Sequence, residues 1–148
     1  MVVDKKHIVD TGLRLLLTKE EDLKSIIFNL RVSNNDTKSS MGDKYETSRE
    51  MLQQEINMLE RQLSEIQKQK DIFLKIRSEN TDTVTLGAVV STSLGNLFIS
   101  AGIGEIKMGD QTIKAISINS PLAQNLLNKR INDTFALNGK EFTILNIY

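Results

Sequence analysis

The sequence predicts an α+β protein in which a long antiparallel helical hairpin, built as a coiled coil, precedes an antiparallel sheet carrying one short helix. Three observations predict it. Two stretches of the 148-residue chain share one heptad rhythm of apolar residues and are separated by the polar run Lys38-Ser39-Ser40-Met41-Gly42-Asp43-Lys44. After Ser78-Glu79-Asn80-Thr81-Asp82 the periodicity changes from helical to alternating or short apolar runs. Near the end, Asn138-Gly139 separates two apolar runs, the strongest short-range signal for a β-hairpin.

The first helix is expected from Asp4 to Val32, where Ser33-Asn34-Asn35-Asp36-Thr37 supplies residues that prefer turns and caps. Its seam is Val9, Leu13, Leu16, Leu23, Ile27 and Leu30, with Glu20 interrupting one slot. Gly12 is an internal weak point, costing about 1 kcal/mol against Ala. The second helix is expected from Tyr45 to Arg77, a rod of about 50 Å at 1.5 Å per residue, longer than a core of this size needs. Leu52, Ile56, Leu59, Leu63 and Ile66 make its seam, and Phe73 resumes it after a polar gap at Lys70. In a fold-back, facing residue numbers add to a constant. Leu30 with Leu52, Leu23 with Leu59, Leu16 with Ile66 and Val9 with Phe73 all add to 82. That register puts the reversal near residue 41 and places Glu20 opposite Leu63, where a leucine would stabilise the seam by about 1 kcal/mol.

The second part is read as strands at Thr83 to Val90, Leu97 to Ala101, Glu105 to Met108 and Gln111 to Ile118, then a helix from Pro121 to about Asn128. Ser120 is its cap and Pro121 its first residue. Phe135-Ala136-Leu137 and Phe142-Thr143-Ile144-Leu145 complete the last hairpin. The expected division is 1–80 for the hairpin and 81–148 for the sheet domain.

Composition excludes several function classes. Lys plus Arg and Asp plus Glu are equal at 19 each, so there is no bulk electrostatic case for binding duplex DNA. There is no Cys, hence no thiolate zinc site and no cysteine nucleophile, which suits a reducing compartment. The single histidine, His7, would have to serve any histidine-based triad from the first turn of the chain. The opening residues lack the apolar core of a secretory signal, and no run approaches the roughly 20 apolar residues of a membrane span. A cytoplasmic protein without membrane attachment is expected.

Gly42, Asp43 and Glu46 fall at or just past the apex of the hairpin, far from a hydrophobic core. Two readings stand side by side. Asp43 caps the second helix, with Glu46 at its third position completing a capping box. Alternatively the two carboxylates, three residues apart in one turn, bind a hard metal ion. The readings are compatible, since a capped acid pair is also better organised for a cation.

Taken together, these stretches resemble the Gre family of bacterial transcript cleavage factors, which join an N-terminal helical hairpin to a C-terminal domain of FKBP-like fold. The closest run, Ile116-Ser117-Ile118-Asn119-Ser120-Pro121-Leu122-Ala123-Gln124-Asn125-Leu126-Leu127-Asn128-Lys129-Arg130-Ile131-Asn132-Asp133, is like the family's "ISxxSPLGRALLGKxxGD". Asn128 and Asn132 stand where the family has glycine, and Asn also enters left-handed backbone conformations. At the tip, Gly42-Asp43-Lys44-Tyr45-Glu46 resembles "GDLxEN", with Thr47 in place of the final Asn and the following aromatic missing.

The resemblance implies a partner, bacterial RNA polymerase, entered through its secondary channel. It implies that Asp43 and Glu46 act in trans as catalytic carboxylates and metal ligands, sharing a magnesium ion with the polymerase active site at the RNA transcript 3′ end. The chain itself would then be no enzyme, stimulating cleavage of backtracked transcripts by the polymerase. Lys38, Lys44 and Arg49 would contact RNA phosphates or the channel wall, or else offset the local acids. Ser120, Pro121 and Leu122 would lie near the polymerase-docking surface, with helix capping as their other role. Two further readings remain: a Gre-like regulator that occupies the channel without catalysis, and a prolyl isomerase or generic binding module with a coiled-coil handle. The absence of Trp and the presence of only two Tyr argue against an aromatic isomerase pocket.

Overall fold

The computed structural model describes residues 3–36 and 43–148, without the side chains of Asp36, Asp43, Lys44 and Tyr45. Helix α1 spans Lys5–Asp36 and α2 spans Asp43–Lys75. The expected reversal near residue 41 lies outside the described residues. Helix α1 runs through Ser33-Asn34-Asn35-Asp36, where the sequence predicts a break. Such residues each cost only about 0.7 kcal/mol or less in a helix, and half-buried Asn34 continues the buried stripe four residues beyond Leu30.

The chain forms two compact units, Leu15–Lys70 and Met1–Arg14 with Asp71–Tyr148. In the first, the helices run antiparallel, because residue numbers that rise along α1 fall along α2 in the two ion pairs that join them. Glu20 meets Lys70 at 3.0 Å, and Arg31 meets Glu60. The buried stripe holds Leu16, Glu20 and Ile27 of α1 and Ile56 of α2, flanked by half-buried Leu23, Leu30, Leu52, Leu59, Leu63 and Ile66.

The numbers of the two ion pairs add to 90 and 91, and Gly12 against Phe73 gives 85, where the sequence reading used sums of 82 and 83. A seam that repeats every seven residues matches apolar against apolar again after sliding by seven, so the constant sum leaves the heptad undetermined. The two polar interruptions meet: Glu20 and Lys70 form an ion pair with each other. Lys70 Nζ donates to both carboxylate oxygens, at 3.0 and 3.1 Å, and Lys24 lies 3.8 Å away. The hydrogen bonds from Lys70 hold the Glu20 carboxyl below the usual range; Lys24 adds to this, while burial opposes it.

In the second unit, strands β1 (Val89–Thr92), β2 (Gly95–Ser100), β3 (Gly104–Met108), β4 (Gln111–Ser117), β5 (Thr134–Leu137) and β6 (Lys140–Ile147) form one sheet in the order β3-β4-β2-β1-β6-β5. Every neighbouring pair is antiparallel except β2 with β4, which are parallel from Asn96 opposite Ile113 to Ser100 opposite Ser117. The hairpins were readable from their turns; the parallel pair has no turn of its own, since β3 intervenes at the sheet edge. Asn138 and Gly139 take φ of 54° and 79°, the two positive values that a tight β-hairpin of this type requires.

One face of the sheet, with Val90, Leu97, Ile99, Ile116, Phe135, Ile144 and Ile147, packs under Ala123 and Leu126 of α3 (Pro121–Leu126). Val84 belongs to this core. It is tied in by its N–H to the Lys129 carbonyl and by its carbonyl to the Asn128 N–H, so the Thr83 end of the expected first strand pairs with the chain leaving α3. The opposite face presents Val89, Phe98, Ile106, Ile113 and Ala115, all buried. Phe73 of α2 meets Phe98 there edge-on, with ring centroids 5.7 Å apart and an angle of 81°. Burying a side chain of that size stabilises by about 1.5–3 kcal/mol. Gly12 makes the room: a Cβ there would sit 2.3 Å from the Phe73 ring. The residue that reads as a helical weak point is thus a packing requirement, because Phe73 lies against Gly12.

Candidate functional site

The acid pair sits where the hairpin's helices are joined. Asp43 is the first residue of α2 and Glu46 follows in the same turn. Glu46 is exposed. Lys38 and the side chains of Asp43 and Lys44 lie outside the described residues, so the capping-box geometry does too.

Glu46 lines a polar cleft of about 340 Å³ with Asn34, Arg49, Glu50 and Gln53. Arg49 is half-buried in it, and its Nε is enclosed without a hydrogen-bond partner among the described residues. The cleft therefore brings Glu46 and Arg49 together, and adds two residues that sequence reading passed over. Glu50 is one turn beyond Glu46, a spacing visible in the sequence. Asn34 comes from α1 and had no signal, because the helix was expected to have ended.

Two carboxylates three residues apart suit a hard cation such as magnesium, which commonly takes one or two protein carboxylates and completes its shell with water and phosphate oxygens. Among the described residues, no group of three or more His, Cys, Asp or Glu side chains is arranged to hold a metal ion. No described helix is long and apolar enough to cross a membrane.

The second candidate region lies in the sheet unit. Ser120 is the N-cap of α3: its hydroxyl accepts a hydrogen bond from the Ala123 N–H at 3.2 Å, and Pro121 opens the helix. Pro121 is exposed and Leu122 half-buried. Leu122 lines a cleft of about 320 Å³ with Leu94, Leu97, Lys114 and Leu137, a mainly apolar surface at the starts of β2 and β4. The two asparagines that replace glycine do take left-handed backbone, with φ of 67° at Asn128 and 73° at Asn132. Asp133 closes that turn by accepting from the Arg130 N–H at 2.7 Å.

No family model matches the chain, and no curated protein matches it. Among solved structures, the crystal structure of GreA factor homolog 1 (Gfh1) of Thermus thermophilus is similar, with 19% identity and a TM-score of 0.39 over 93% of this chain and 95% of that one. A second structure, described as the transcription factor Gfh1, is similar at 19% identity and a TM-score of 0.38, covering 93% and 94%.

Proposed function

We propose that this chain is a Gre-like transcription elongation factor that binds bacterial RNA polymerase in the cytoplasm. Its hairpin enters the secondary channel, and the factor stimulates cleavage of backtracked transcripts near the RNA 3′ end. The observation that carries this reading is the position of Asp43 and Glu46 in the first turn of α2, at the joined end of an antiparallel hairpin. The capped turn and the two left-handed asparagines in the Ser120 to Asp133 run support it, since that run is the most family-like part of the chain.

In this reading Asp43 and Glu46 orient a hydrated cation that the polymerase completes. Magnesium so placed supplies an activated water and charge neutralisation at the scissile phosphate. Arg49 and Lys44 hold RNA phosphates or the channel wall, and the surface around Ser120, Pro121 and Leu122 docks on the polymerase. Catalysis would belong to the polymerase, and neither duplex DNA nor a membrane is a partner.

A second reading keeps polymerase binding and removes catalysis. Arg49 in the same cleft as Glu46 favours it, because a guanidinium beside a carboxylate competes with a cation for it. Thr47, where the family has Asn, points the same way. Co-purification of the full chain with core RNA polymerase tests both at once: stable association is expected, and its absence at micromolar concentrations overturns them together.

A further inference from the structure

In the sheet unit, the end of α2 and the start of α1 frame a second polar cleft, of about 360 Å³, lined by Lys5, Lys75, Arg77, Glu79, Asn80 and Thr85 among others. Lys5 is the unusual member. It is only 5% exposed, and its ammonium donates one hydrogen bond, 2.8 Å long, to the Glu79 carbonyl. An ammonium has three donors. Among the described residues, no carboxylate lies within 4.0 Å of Lys5, Lys75 or Arg77. Burial pushes the Lys5 ammonium below its ordinary pKa, the sign of a cation enclosed without a counter-ion. Buried charges in proteins are as a rule paired.

Lys75 is the last residue of α2, and Arg77 follows two residues later. Cations near a helix C-terminus complement its dipole, which accounts for Lys75 and Arg77 alone. It does not account for Lys5, which comes from the other helix and buries its charge in the same cleft. Three cations from two segments, one carboxylate and the neutral donors of Asn80 and Thr85 make a surface matched to a ligand with several acceptor oxygens and more than one negative charge.

We propose that this cleft binds a diphosphate-type oxyanion, with Lys5 at its floor and Lys75 and Arg77 at its rim. The site is separate from the acid pair and does not rest on the polymerase reading. A free diphosphate and the diphosphate of a nucleotide share this chemistry.

Titration calorimetry on the full chain at fixed low ionic strength tests the site, with sodium pyrophosphate and a nucleoside diphosphate as separate probes. Saturable one-to-one binding of pyrophosphate is expected. It should weaken at least about tenfold in Lys5→Met, which keeps the apolar stem, and in Arg77→Gln, while Lys107→Gln, at an exposed position of β3, leaves it unchanged. Equal affinity for both probes supports the site with free diphosphate as ligand; tighter binding of the nucleotide supports it with a nucleotide. Should Lys5→Met fail to fold, Arg77→Gln and Lys75→Gln carry the same comparison. The absence of saturable heat with either probe, or an equal loss in Lys107→Gln, overturns the proposal.

Discussion

Glu20 and Lys70, the two charged residues that interrupt the apolar seams of the hairpin, meet each other at 3.0 Å, and Glu20 is almost wholly enclosed at 6% exposure. A buried pair of this kind is weak support for stability in itself, yet breaking it is expensive, because the surviving charge keeps its burial and loses its partner. Its role here is registration: sliding the helices by a heptad would set both charges against leucines or isoleucines.

Glu20→Leu should therefore destabilise the hairpin, by about 1–3 kcal/mol for a buried group left without its partner, instead of stabilising it as a facing Leu63 implied. The double change Glu20→Leu with Lys70→Leu should recover most of that loss, as measured by urea denaturation followed by helical circular dichroism. A gain in stability from Glu20→Leu alone contradicts a stabilising role for the ion pair with Lys70.

The same pair sets a pH dependence. The Glu20 carboxyl has a folded-state pKa below the ordinary 4.5, so the unfolded chain takes up the proton first and falling pH favours unfolding. The stabilisation is present in full above the ordinary value and is lost as pH falls below about 4.5 through the folded value. The stability difference between the wild type and Glu20→Gln should shrink across that window. A difference that stays constant from pH 7 to pH 3 would show that the carboxylate contributes nothing through Lys70.

Gly12 gives a prediction whose sign discriminates. Helix propensity alone makes Gly12→Ala stabilising by about 1 kcal/mol. The new Cβ, however, would fall 2.3 Å from the ring of Phe73, which is fully buried and packed edge-on against Phe98. Overpacking of that kind costs about 1–3 kcal/mol, so a lowered melting temperature is expected in thermal denaturation.

Capping is testable at the other helix. Ser120→Ala removes the acceptor for the Ala123 N–H and should cost about 1 kcal/mol, whereas Ser120→Asp retains the cap and most of the stability. Chemical denaturation of the two variants side by side distinguishes them.

Much of this structure is written in local pattern. The seams gave both helices, Asn138-Gly139 gave its hairpin, and Ser120-Pro121 gave the start of α3. Non-local relations were harder. A heptad repeat is blind to its own translation, so Leu23 and Leu59 alone leave the register open; the unlike charges at Glu20 and Lys70 were a pairing signal that the apolar pattern passed over. The parallel pairing of β2 with β4 joins strands separated by a third and leaves no turn motif to read. Gly12 looked like a fault because its partner, Phe73, is 61 positions away. At the tip, Glu46 and Arg49 were legible from spacing, while Asn34 entered their cleft only because α1 runs on to Asp36.

The central claim concerns Asp43 and Glu46, and transcript cleavage on stalled elongation complexes tests it most directly. The wild type should accelerate shortening of the backtracked RNA in the presence of magnesium. Asp43→Asn and Glu46→Gln should abolish that acceleration while still competing with the wild type for polymerase, because Asn caps a helix about as well as Asp and so removes the charge with little loss of fold. Acceleration by Asp43→Asn equal to the wild type at saturating protein would contradict a metal-binding role for Asp43, and no acceleration by the wild type itself would leave the channel-occupying regulator in its place.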